Sequence, residues 1–204
     1  RCDPVTGVQT CALPISHQGR QVDLARGLRA YQRDARTALE SKNLSQEQRD
    51  FYAASILSLE AAIKFARRFS ALAAELAEKE DDKKRKAELK RIAEINARIF
   101  EGPVKSFHEA LQVVYYCHLI MMIESNGHSF SFGRFDQYCY PYFKADIENG
   151  CLTYEEALEL TALFFIKMNS LNKVRPWDHT EFSAGYPLYS NLMVGGMKAD
   201  GTDG

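Results

Sequence analysis

Ser106-Phe-His-Glu-Ala-Leu-Gln-Val-Val-Tyr-Tyr-Cys-His-Leu-Ile-Met-Met-Ile-Glu124 decides what kind of fold this chain builds. Ser106 and Glu109 stand at capping-box spacing, which predicts a helix start, and the body that follows, 110–123, is apolar on nearly every face. A helix without a polar stripe has no side to show to water, so other elements must enclose it. Its least interrupted apolar run, 113–123, contains His118 and is well short of the roughly 18 to 20 residues that cross a bilayer, which makes it an interior helix rather than a membrane span. Directly after it, Glu124-Ser-Asn-Gly-His-Ser-Phe-Ser-Phe-Gly-Arg-Phe-Asp-Gln-Tyr138 crowds an acid, a histidine, serines and an arginine around two glycines. Asn126-Gly127 tolerates the left-handed backbone of a helix end, and the polar residues beyond it have the density of a reaction pocket.

Upstream, the pattern is helical from 23 to 100. Ser45-Gln-Glu-Gln48 fits a capping box, Ile56, Leu59, Ile63 and Ala66 follow one stripe, and Phe65, Phe69, Leu72 and Leu76 follow a second. Two adjacent stripes predict a helix buried on more than one side. The charge run 78–91 mixes both signs and reads as a solvated helix face. Downstream, Asp136 is placed to cap a helix interrupted or tilted near Pro141, which Asn149-Gly150 ends. Thr153-Tyr-Glu-Glu156 is a third capping box, opening a helix to about Leu171. Beyond Pro176 the period changes, and Leu188, Leu192, Met193 and Val194, set among Ser, Asn and paired glycines, predict one short strand entering Gly195-Gly196.

Composition sets the class. In 204 residues, 46% are hydrophobic and 26% charged, which is globular and excludes a disordered tail. A net charge of -1 leaves no electrostatic footprint for nucleic acid. Asp3 and Pro4 stand where a secretory signal needs a basic region and an apolar core, so the cytoplasm is the expected compartment, with no membrane partner. Five cysteines without a Cys-x-x-Cys pair indicate reduced thiols rather than a disulfide framework or a zinc site. Residues 1–15, containing Val5-Thr-Gly-Val-Gln-Thr-Cys-Ala-Leu-Pro-Ile15, resemble the translation of a sequencing adapter and are read as non-native. The native sequence is then 16–204, and its polar end at Asp200-Gly-Thr-Asp-Gly204 gives the expectation of a partial domain.

A helix ending at Glu124 and followed by a glycine-containing loop with His128 and Ser129 can aim a carboxylate, an imidazole and a hydroxyl into one small volume. Such groups hold a small polar substrate and can deprotonate its hydroxyl, because desolvation tunes them toward neutral pH. The competing reading is a polar loop that satisfies helix-end carbonyls. Arg134 and Asp136 could pair with each other across one turn, as a structural ion pair or as substrate ligands. His108 and His118 lie too far apart along one helix to share a metal. Thr180, His179 and Tyr186 occupy an irregular segment where pocket residues are common. No serine sits in a nucleophile elbow, and no glycine-rich phosphate cradle is present.

The order of these segments resembles the pyruvate formate-lyase domain of the glycyl radical enzymes, over about 16–204. Phe107-His-Glu-Ala-Leu-Gln112, Asn126-Gly-His-Ser129, Gly133-Arg-Phe-Asp-Gln-Tyr138, Tyr140-Pro-Tyr142, Leu171-Asn-Lys-Val174, Gly185-Tyr-Pro187 and Asn191-Leu-Met-Val-Gly-Gly196 carry the resemblance together. It implies an α/β fold, a ten-stranded barrel of which this stretch is a predominantly α-helical part. It also implies radical chemistry: a glycine radical, installed by a radical S-adenosylmethionine activating enzyme, generates a cysteine thiyl that attacks the bound substrate. Both radical residues are expected outside this chain. Cys151 follows Gly150 but lacks the Gly-Cys-x-Glu context and is not assigned a catalytic role. Similarity to the diol and glycerol dehydratases implies that His128 and Ser129 bind substrate hydroxyls and that Tyr186 lines the pocket. Glu124 and Thr180 fall where other branches place polar contacts.

The expected parent is therefore an anaerobic, homodimeric glycyl radical lyase of the dehydratase type, cleaving a C–O, C–S, C–N or C–C bond of a small polar substrate. This stretch alone is expected to be inactive. Formate C-acetyltransferase or a decarboxylase of the same family is the alternative among enzymes. A non-catalytic helical scaffold is the alternative outside them.

Overall fold

The computed structural model describes residues 24–125, 131–171, 176–178, 181, 191–198 and 200–202. They fall in two compact units, one within Asp23–Val104 and the other within Lys105–Gly204.

The first unit holds three helices, α1 (Leu28–Leu39), α2 (Gln46–Lys79) and α3 (Lys83–Arg98), and both α1 and α3 pack on α2. Helix α2 starts where its capping box predicts: Ser45 Oγ accepts the Gln48 N–H at 3.2 Å and Gln48 Oε1 accepts the Ser45 N–H at 2.9 Å. Its first stripe forms the core, with Leu59, Ile63 and Ala66 buried and Ile56 half-buried, continued by Ala73 and Ala77. The second stripe departs from expectation. Phe65 is half-buried, but Phe69, Leu72 and Leu76 remain 40%, 47% and 46% exposed. The helical pattern also breaks inside the charge run, where Asp82 Oδ1 accepts the Arg85 N–H at 2.7 Å and starts α3.

Polar ties reinforce this unit. Arg29 donates to Glu60 Oε2 at 2.8 Å and to Glu101 Oε2 at 2.9 Å, and Arg67 donates to the other oxygen of Glu101. The buried Gln32 amide donates to Glu60 at 2.8 Å. The hydrogen bond from Arg29 is the main reason the Glu101 carboxyl is held below its ordinary range. At the mouth of α1, Gly27 takes φ 75°, and a Cβ there would stand 2.5 Å from the Gly102 carbonyl oxygen. Only glycine permits both the backbone angle and the approach.

The second unit runs α4 (Phe107–Ser125), β1 (Gly133–Arg134), α5 (Phe135–Glu148), α6 (Tyr154–Asn169) and β2 (Leu192–Met193). Helix α4 is enclosed as its composition demands, with Ala110, Leu111, Val113, Val114, Tyr116, Cys117 and His118 all buried. Its cap is a variant of the expected box. Ser106 Oγ accepts the Glu109 N–H at 3.2 Å, but the Glu109 carboxylate reaches past Ser106 to the Lys105 N–H at 2.7 Å. Asp146 of α5 adds a bond to the Phe107 N–H at 2.8 Å, satisfying another donor of the first turn.

Helix α5 keeps Pro141 inside it and begins one residue after Arg134, so Asp136 lies in its first turn rather than at the cap. Helix α6 has the complete Thr153–Glu156 box and ends at Asn169, with Gly150 at φ 66° in the turn before it. Phe132, Phe135 and Phe164 bind α5 and α6 to the strand entrance through ring contacts of 5.8 Å and 5.1 Å.

The strand predicted before Gly195-Gly196 is β2, and it pairs with β1 in parallel, Gly133 opposite Leu192 and Arg134 opposite Met193. Parallel neighbours need a crossover, and α5 and α6 lie within it. The chain is thus predominantly helical with a small parallel α/β element. Among the described residues, no helix is long and apolar enough to cross a membrane.

Candidate functional site

The site grows from the seam between β1 and β2. Ser131 and Phe132 follow the segment that carries His128 and Ser129, and Asn191 follows the segment that carries Tyr186. Ser131 Oγ accepts the Asn191 N–H at 3.2 Å, and the Asn191 carbonyl accepts the Phe132 N–H at 2.9 Å. The exits of the two segments are therefore tied to each other. Tyr138 of α5 holds the same point from the other side, its hydroxyl donating to the Phe132 carbonyl at 3.1 Å.

Arg134 and Asp136 have a different role from the mutual ion pair that their spacing predicted. Asp136 Oδ2 accepts the Gly195 N–H at 2.5 Å while Oδ1 accepts the Gln137 N–H at 2.8 Å. Arg134 donates instead to the Met197 carbonyl. Between these anchors Gly195 and Gly196 adopt φ 71° and 82°, and a Cβ on Gly196 would stand 3.4 Å from the Arg134 guanidinium. Two side chains of one motif thus grip the backbone of another, 59 and 63 positions away. The two motifs were both visible in the sequence, but no local period links residues so far apart.

Of the residues expected to contact substrate, Glu124 lies in the last turn of α4 with its side chain exposed. His128, Ser129, Thr180 and Tyr186 lie outside the described residues, as does the leader 1–15.

Burial holds His118, Cys117, Cys139 and Tyr138 of this unit in their neutral forms at ordinary pH. His118 is buried and stacks on Phe132 with ring centroids 4.6 Å apart, and desolvation lowers its pKa to about 4. Burial pushes the Cys117 thiol up to about 12 and raises Cys139 and Tyr138 further. A thiol so far from its thiolate is inert as a nucleophile. Cys151 is exposed in the turn between α5 and α6.

The model of the Pyruvate formate lyase-like family matches residues 19–204. The chain belongs to this family. Among curated relatives, the (2S)-3-sulfopropanediol dehydratase of Klebsiella oxytoca is 40% identical over 158 residues, covering 77% of this chain and 19% of the relative. A solved structure titled for 1,2-propanediol dehydration in Roseburia inulinivorans superposes with a TM-score of 0.85 and 35% identity, covering the whole of this chain and 26% of that one. A glycyl radical enzyme from Archaeoglobus fulgidus gives a TM-score of 0.82 at 29% identity, covering 96% and 29%. The resemblance to glycyl radical dehydratases is thereby established at the level of family. This pyruvate formate lyase-like chain spans less than a third of the length of each of these relatives.

Proposed function

We propose that this chain is part of a glycyl radical lyase of the dehydratase type, and that its share of the work is to bind and orient a small polar substrate. The observation that carries the reading is the β1–β2 seam, which ties the exit of the Asn126-Gly-His-Ser129 segment to the exit of the Gly185-Tyr-Pro187 segment. Two polar segments that each lead into one strand of a parallel pair, and are anchored at a common seam, suit a ligand site built from loops on a fixed scaffold. The parallel pair with its helical crossover also suits one portion of a ten-stranded barrel, whose remaining strands would come from outside 16–204.

In this reading His128 and Ser129 hydrogen-bond a substrate hydroxyl, Tyr186 lines the pocket, and Glu124 and Thr180 supply further polar contacts. A neutral imidazole or a carboxylate here accepts the hydroxyl proton as the leaving group departs from the neighbouring carbon. The described cysteines do not fit the radical carrier: Cys117 and Cys139 are sealed in the core, and Cys151 sits on an exposed turn away from the seam. In this proposal the glycyl radical lies in the rest of the parent protein, and its activating S-adenosylmethionine enzyme is a separate partner. A cytoplasmic, homodimeric parent, and a non-native leader at 1–15, complete the proposal.

The test is anaerobic co-expression of the parent gene with its activating enzyme, followed by electron paramagnetic resonance and turnover assays on propane-1,2-diol, glycerol, isethionate and trans-4-hydroxyproline. A glycine-centred doublet with turnover of one of these is expected. Absence of any such radical in activated protein overturns the reading. In active enzyme, His128→Ala lowers kcat/KM by about 10²-fold or more, the lower range for losing a general acid or base.

A further inference from the structure

We infer that Arg134 and Asp136 are positioning residues, a two-point clasp that sets the register between the two segments flanking the proposed substrate site. The inference rests on that functional reading for its consequence, though its geometry stands independently.

Backbone pairing alone is a weak lock here. The strands are two residues each, and a two-residue ladder has little to oppose slippage. A slip by one residue would turn alternate side chains to the opposite face and move Asn191 away from Ser131 and Phe132. What opposes it is side-chain chemistry. Asp136 Oδ2 holds the Gly195 N–H, Arg134 holds the Met197 carbonyl, and the two bonds run in opposite donor sense to backbone groups two residues apart. Both are charge-assisted, the stronger class of hydrogen bond. A shift of one residue in either direction would present the carboxylate with a different N–H and the guanidinium with a different carbonyl, so both bonds would break together.

The glycines complete the clasp. Gly195 and Gly196 take positive φ, which turns the Gly195 N–H toward α5, and the open flank of Gly196 lets the guanidinium lie close. Asp136 is fixed in turn by accepting the Gln137 N–H in the first turn of α5, so the clasp is referred to a helix rather than to a loop. The residues immediately outside it, Ser131 and Asn191, are the exits of the two segments. Register at the seam thus becomes spacing at the site.

The experiment uses the full-length parent protein carrying Asp136→Asn, Arg134→Lys or Asp136→Ala, with amide hydrogen exchange and steady-state kinetics as readouts. Asp136→Asn keeps the shape and one oxygen acceptor, so it remains informative if Asp136→Ala does not fold. The expected result is faster exchange, threefold or more, in peptides covering 126–132 and 188–197 together, with α4 and α6 unchanged. On the substrate among the four that wild type converts, KM rises tenfold or more in Asp136→Asn at unchanged glycyl radical content, and Arg134→Lys shows a smaller rise because a single ammonium still reaches a carbonyl. Exchange that rises in one segment only, or KM within twofold of wild type at full radical content, overturns the inference. Wild-type protein that forms no radical overturns the functional reading instead, while the exchange result still decides the clasp.

Discussion

His118 illustrates how a single residue couples burial to pH. Its ordinary pKa of 6.5 falls to about 4 in the folded unit because the charged imidazole would lose its hydration among Phe132 and the buried side chains of α4. The folded protein then binds fewer protons than the unfolded chain between those values. Stability is full above pH 6.5 and declines as pH falls toward 4, by about 3 kcal/mol over the window. His118→Phe preserves the ring against Phe132 and removes the titration, so the slope of unfolding free energy between pH 7 and pH 4.5 flattens accordingly in denaturant titrations. The cysteines give a second check at this scale. Brief iodoacetamide treatment of native protein, followed by peptide mapping, labels the exposed Cys151 and leaves Cys117 and Cys139 unmodified until denaturant is added.

At the scale of elements, the ends were more predictable than the contacts. Ser45 and Thr153 cap α2 and α6 through complete boxes, and Ser45→Ala or Thr153→Ala costs about 1 kcal/mol each in equilibrium unfolding. Ile63, 1% exposed on the buried stripe of α2, is the stronger probe: Ile63→Ala costs about 2 to 5 kcal/mol. Gly27→Ala destabilises by about 1 to 3 kcal/mol or more, since positive φ and the approach to Gly102 act together. Capping was legible because it is written within four residues. The break at Asp82 was not, because a charged helix face and a charged turn have the same composition, and only the packing of α3 back on α2 separates them.

For the molecule as a whole, the exposed apolar side chains set the expectation. Leu57, Leu158, Ile166 and Val194 are each about two-thirds exposed or more, and Phe69, Leu72 and Leu76 line one flank of α2. Exposed apolar surface of this kind is expected to be covered by the remainder of a longer parent protein. Expressed alone, the 204 residues are expected to bind a hydrophobic dye such as anilinonaphthalene sulfonate, whereas the full-length parent does not. Equal dye binding by the two would show that these faces stay open.

Periodicity and caps by themselves determined where α2, α4 and α6 begin, that 110–123 must be enclosed, and that a strand precedes Gly195-Gly196. These features depend on chemistry repeated every two to four residues, which any stretch of chain carries in full. Only the tertiary structure decided that β2 runs parallel to β1, that Arg134 and Asp136 turn from each other to the backbone at 195–197, and that Phe69, Leu72 and Leu76 of α2 are left 40% or more exposed. Those outcomes depend on which distant segment arrives as a neighbour, and a local pattern holds no record of its partner.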